Sequence, residues 1–116
     1  MSELSHQEKI VEVLRRYEEV QVGHKLDGIE VCGYALRKLN EEVGELTEYI
    51  LLDAERFVGV IDIGLELADI YIVLCRIAEY YGVDIQNAAM AKLCVLEQRI
   101  QKANEEANDD PTSGGR

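Results

Sequence analysis

Residues Ile70-Tyr71-Ile72-Val73-Leu74-Cys75, followed by Ile77 and Ala78, are so evenly apolar that a helix built from them has almost no face for water. Such a helix belongs in the middle of a bundle or at a subunit interface. The run is entered through Glu66-Leu67-Ala68-Asp69, which places two carboxylates three residues apart. Neighbours at that spacing on a helix have Cβ atoms roughly 5–6 Å apart, so the pair is a close like-charge contact. A second pair, Glu42 and Glu45 of Glu42-Val43-Gly44-Glu45, lies on the preceding helical segment. In water such a pair costs a few tenths of a kcal/mol, but turned toward a core it does not survive without a cation. Four carboxylates converging from two helices point to a divalent metal site.

Local punctuation predicts four helices and no strand, an all-α fold. The first opens at Ser5, with Glu8 completing a capping box, carries Ile10, Val11, Leu14 and Tyr17 on one face, and stops at Gly23. His24 to Glu30, containing Gly28, reads as a loop. The second helix spans Val31 to Asp53 with the stripe Leu36, Leu39, Val43, Leu46 and Ile50, and a short connection covers Arg56 to Val60. Asp62 is the expected cap of the third helix, which continues to Gly82. Asp84 is the expected cap of the fourth, running from Ile85 to about Ala107. These helices are expected to form one domain over residues 1–107, a four-helix bundle, with 108–116 as a disordered polar tail.

Helical-wheel arithmetic places the acids relative to the stripes. At roughly 100° per residue, Glu66 falls about 60° from the centre of Ile63-Leu67-Ile70-Leu74 and Asp69 about 60° further, with Val73 between them. On the second helix Glu42 lies roughly 80° from the stripe centre and Glu45 about 60° beyond it, whereas Glu41 and Glu48 point away. Antiparallel packing of the two helices brings both pairs to one place. The competing reading is an ordinary solvated acidic face. It fits Glu42 and Glu45 better than Glu66 and Asp69, whose helix supplies only Arg76 as a nearby cation.

Charge narrows the partners. With 23 acidic and 12 basic residues the net charge is -11, which disfavours nucleic acid and anionic membranes, and an anionic small molecule needs metal to bind. Cys32, Cys75 and Cys94 show no Cys-x-x-Cys pattern and read as buried thiols in a reducing cytoplasm. Met1 to Glu12 lacks the apolar run of a signal peptide, and no stretch approaches the roughly 20 apolar residues of a membrane span.

The strings Leu39-Asn40-Glu41-Glu42-Val43-Gly44-Glu45-Leu46 and Glu66-Leu67-Ala68-Asp69-Ile70, then Tyr81-Gly82-Val83-Asp84-Ile85 and Lys92, resemble the MazG-type all-alpha nucleoside triphosphate pyrophosphatases. The resemblance spans about Leu36 to Arg99. It implies a helical bundle assembled as a homodimer or homotetramer, with Mg²⁺, or Mn²⁺ in its place, held by Glu42, Glu45, Glu66 and Asp69. The implied activity is house-cleaning hydrolysis of a nucleoside triphosphate to the monophosphate and pyrophosphate. Glu42 or Glu45 is the candidate general base, ahead of Glu41.

Lys92 and Arg99 share a face of the fourth helix and are candidate pyrophosphate contacts, as is Lys38 one turn before Glu42; each is also an ordinary solvated cation. Family members often carry a Lys followed by an Asn and an Arg in this region, and Leu96 stands at the position expected for that Asn. Tyr17, His24, Tyr34 and Tyr71 are the candidates for a base pocket, and Gly44 is a candidate point of close helix approach. Within the superfamily, alternatives are a dUTP-type or a phosphoribosyl-ATP-type enzyme. The latter expects a His soon after the second acidic motif, where Ile72 and Val73 stand. A non-catalytic helical interaction module is the alternative from another class.

Overall fold

The structure, a computed structural model, describes residues 4–52 and 60–109, and every regular element among them is a helix: α1 (His6–Val22), α2 (Ile29–Leu52), α3 (Val60–Tyr80) and α4 (Ile85–Asp109). Ser5 starts α1 as its capping box dictates: its Oγ accepts from the Glu8 N–H at 3.1 Å while its own N–H donates to Glu8 Oε1 at 3.1 Å. Gly23 ends that helix at φ 92°, its N–H donating to the Glu19 carbonyl at 2.8 Å. The end of α3 is a Schellman turn. Val83 N–H reaches the Ala78 carbonyl at 2.8 Å, Gly82 N–H reaches Glu79 at 3.1 Å, and Gly82 takes φ 67°, a conformation a side chain would strain.

Three boundaries differ from the sequence reading: the starts of α2 and α3 and the end of α4. Ile29 and Glu30 belong to α2, because Glu30 N–H and Val31 N–H already bond to the Asp27 and Gly28 carbonyls at 3.2 and 3.1 Å. Asp62 sits inside the first turn of α3, where its charge favours the helix dipole without capping it. Val60, placed in the connection, is helical, as are Asn108 and Asp109 of the expected tail. Asp53, the rest of the expected connection and residues 110–116 lie outside the described residues.

Two compact units are present, residues 1–84 and 85–116. In the first, α3 packs against both α2 and α1, the central place expected of it. Its core is small-residue rich: Val11, Leu26, Val31, Cys32, Ala35, Val73, Cys75 and Ala78 are buried. Gln7 ties the start of α1 to the end of α3, donating to Glu79 Oε1 and to the Val83 carbonyl, both at 2.7 Å.

The faces turned inward coincide only in part with the predicted stripes, of which Leu39, Leu46, Ile63, Ile70 and Leu74 are half-buried. On α2 the residues Leu36, Val43 and Ile50 are about half exposed, and the buried residues are Val31, Cys32 and Ala35. On α3 Leu67 is exposed while Glu66, Val73 and Arg76 are buried, so the acid-bearing sector faces the interior. Gly44 is not a close-approach point within this unit, since nothing lies within 4 Å of where its Cβ would stand.

The second unit is α4. It buries no residue, and Met90, Leu93, Leu96 and Ile100 are exposed along it. Cys94 is accordingly exposed, a correction to the expectation of three buried thiols, whereas Cys32 and Cys75 are buried; all three are free. No described helix is long and apolar enough to cross a membrane.

Candidate metal centre and adjoining cavity

Packing α2 on α3 brings Glu42, Glu45 and Glu66 together. One carboxylate oxygen from each lies within 4.8 Å of the other two, a spacing a single cation can span. Glu66 is buried, Glu42 half-buried and Glu45 exposed, so the triplet runs from the interior to the rim. Asp69, half-buried one turn along α3 from Glu66, is not a member of that triplet but lines the adjoining cavity beside Glu42. Glu41 and Glu48 are exposed, as expected from the wheel.

Glu42 Oε2 and Glu66 Oε2 are both sealed from solvent without a hydrogen-bond partner. Two ionised carboxylates cannot donate to each other, so the only relief available within the protein is a proton held between them. Burial, a side-chain hydrogen bond with Glu66 and the charges of Asp69, Glu45 and Glu66 together push Glu42 up to about 7. Glu45 is lifted above the usual carboxylate range too, chiefly by the charge of Glu66. Among the described residues no Lys, Arg or His pairs with any of the four acids. The donor set is all oxygen and two of its oxygens are buried without a partner, which suits a hard divalent cation.

Arg76, the cation expected near the α3 acids, is engaged elsewhere. Its Nε donates to Glu18 Oε1 and Oε2 at 3.2 and 3.0 Å, and its Nη2 donates to Oε1 at 3.1 Å. Both residues are buried, Glu18 at 1% and Arg76 at 5% exposure. Glu18 was missed as a site residue, although it continues the Val11-Leu14 face of α1 and so stood out as an acid in an apolar stripe.

A cavity of about 210 Å³ opens between α1, α2 and α3. Tyr17, Tyr34 and Lys38 line it, with Glu42 and Asp69 from the acidic cluster and the Glu18–Arg76 pair. A polar recess shares Tyr34 and Lys38 with it and adds Gln21, Arg37 and Glu41. Arg37 was another unanticipated lining residue; the signal for it was the pair of basic residues just before the first acidic motif. Lys38 Nζ sits 3.5 Å from Glu41 Oε2 and 5.9 Å from the Tyr34 ring centroid. Partial burial opposes its charge, yet Tyr34, Glu41 and Glu42 outweigh that and its pKa stands above the ordinary lysine value.

Two other expected contacts within residues 1–84, His24 and Tyr71, do not line the cavity. His24 is exposed with Nδ1 3.0 Å from the Lys25 carbonyl and lines neither recess, because the turn at Gly23 carries it away from the helix faces. Tyr71 stacks on His6 at 6.0 Å instead of lining the cavity. Lys92 and Arg99 are exposed on α4, seven residues apart. Compared with known proteins, the chain matches no family model, no curated protein and no solved structure.

Proposed function

We propose that this chain is a Mg²⁺-dependent nucleoside triphosphate pyrophosphohydrolase, acting in the cytoplasm on non-standard or surplus deoxynucleotides. The observation that carries the reading is the pair of buried, unpartnered carboxylate oxygens on Glu42 and Glu66, set within a triplet completed by Glu45 and beside a cavity with two tyrosines. A buried carboxylate left unpaired is too costly to be ordinary surface charge. Glu42, Glu45, Glu66 and Asp69 would hold the ion, and Mn²⁺ suits the same oxygen donors. Bound Mg²⁺ supplies charge neutralisation at the phosphates and polarises the α-phosphate.

The remaining work falls to the side chains. Water attacks the α-phosphorus, the bond from it to the bridging oxygen of the β-phosphate breaks, and pyrophosphate departs. The water's proton passes to a carboxylate not fully used as a ligand, Glu42 or Glu45. Lys38, at the junction of cavity and recess, neutralises phosphate charge. Incubation with a panel of standard and modified triphosphates tests the reading: pyrophosphate release supports it, and orthophosphate alone, or no product with any substrate, defeats it.

Assembly belongs to the same proposal. Leu36, Val43 and Ile50 recur every seven residues on α2 and stay about half exposed, which supports a homodimer or homotetramer that covers them. A non-catalytic interaction module finds its support in the exposed apolar residues of α4, such as Leu93, Leu96 and Ile100. Mg²⁺ titration separates the two: the enzyme is stabilised by the ion through linkage, the module is not.

A further inference from the structure

Resting on the pyrophosphohydrolase reading, we infer that the polar recess beside the cavity binds the departing pyrophosphate, with Arg37 of α2 and Gln21 of α1 joining Lys38 as its contacts. The floor of the recess is one face of α2: Tyr34, Arg37, Lys38 and Glu41 stand at i, i+3, i+4 and i+7, and all four line it. Glu42 and Glu45 follow on that side of the helix, one turn after Lys38 and Glu41. Arg37 precedes Glu42 by a rise of about 7.5 Å, at about 1.5 Å per residue. Long side chains cover that span, so a phosphate chain held at its α end by metal on the acidic triplet reaches the two cations with its β and γ ends.

Charge separates this recess from the cavity. The cavity wall sets Glu18, Glu42 and Asp69 against Lys38 and Arg76, whereas the recess sets Arg37 and Lys38 against Glu41 alone. A local excess of cations is a specific attraction for an anion in a chain of net charge -11. Arg37 is exposed, and its guanidinium forms no ion pair or hydrogen bond among the described residues, so its donors remain for a ligand. Gln21 Nε2 donates one hydrogen to Tyr17 Oη at 3.0 Å, which ties the recess to a residue of the cavity wall and leaves the second amide hydrogen for a phosphate oxygen. Glu41, 3.5 Å from Lys38 Nζ, is the counter-charge that an entering anion displaces. At about 270 Å³ the recess is smaller than the roughly 300–1,000 Å³ of a site for a drug-sized ligand, which suits an inorganic anion.

The test is calorimetric titration with inorganic pyrophosphate and, separately, with dGMP, both in Mg²⁺, on the wild type, Arg37→Met and Glu41→Gln. Exposed Lys102→Met serves as the control for net charge. Pyrophosphate should bind Arg37→Met about fivefold more weakly and Glu41→Gln about twofold more tightly, whereas dGMP, whose single phosphate stays at the acidic cluster, should keep its affinity within about twofold in both. Lys102→Met should match the wild type, and circular dichroism should be unchanged throughout. With a reactive triphosphate, the same loss appears as weaker product inhibition of Arg37→Met by pyrophosphate. The inference is overturned if the wild type binds no pyrophosphate, if Arg37→Met binds it no more weakly than Lys102→Met, if dGMP affinity falls equally, or if Glu41→Gln binds pyrophosphate no more tightly. These titrations need no turnover. If no triphosphate yields pyrophosphate, the functional reading fails on its own account, and the dependence of pyrophosphate binding on Arg37 still decides this one.

Discussion

Replacing Glu42 by Gln should make the metal-free protein more stable at pH 8 and leave it nearly unchanged at pH 5. Glu42 holds its proton up to about pH 7 in the folded chain, against 4.5 for an ordinary glutamate. Between those values the folded state keeps a proton that the unfolded state has released, so stability is greatest in acid and falls as pH rises through 7. The difference between those two values sets an upper limit of roughly 3 kcal/mol at about 1.4 kcal/mol per pH unit. Half-burial of the side chain and its sharing of the site with other carboxylates reduce that to about 2 kcal/mol. A glutamine keeps the shape, removes the charge and recovers that amount, a rise of about 10 °C in Tm for a domain of this size. Thermal unfolding in EDTA at pH 5, 6.5 and 8 measures it. A wild type whose Tm does not fall across that range, or a Glu42→Gln protein that is less stable at pH 8, would refute the orphaned-carboxylate account.

Glu45→Gln and Asp69→Asn should each abolish turnover with an unchanged helical spectrum; full activity in both, assayed for pyrophosphate, removes the metal-site assignment. Glu18→Ala strands the Arg76 charge in the interior and should cost about 3–5 kcal/mol in denaturant titration, whereas the same change on exposed Glu48 should cost less than about 0.5 kcal/mol. Gly44→Ala relieves a helix-interior glycine into open space and should stabilise by about 1 kcal/mol, read as a higher denaturant midpoint. Val43→Asp on the exposed α2 stripe should shift the assembly toward monomer by light scattering, with an unchanged mass counting against that face as the interface.

What could be read from sequence was mostly what depends on near neighbours. Ser5 with Glu8 and Ala78 with Val83 close their bonds within one or two turns, so residue type and spacing were sufficient for those helix ends. The two acidic pairs were legible for the same reason, since three-residue spacing puts each pair on one helix face. Which face meets which partner was not. Leu36, Val43 and Ile50 form a better stripe than Val31, Cys32 and Ala35, yet the smaller side chains are the ones buried, because they let α2 approach its neighbours. The Glu18–Arg76 pair joins positions 58 residues apart, and its partners could be named individually as anomalies in apolar surroundings but not as a pair. His24 shows the converse: its chemistry made it a candidate, and the turn at Gly23 leaves it lining neither recess.

Hydrolysis in water enriched with oxygen-18, with Mg²⁺ and a reactive triphosphate, tests the central claim most directly. Attack at the α-phosphorus predicts one pyrophosphate for each nucleoside monophosphate, the heavy oxygen in the monophosphate alone, and no product in EDTA or with Asp69→Asn. Label appearing in orthophosphate or pyrophosphate, or turnover that survives removal of metal, would contradict it.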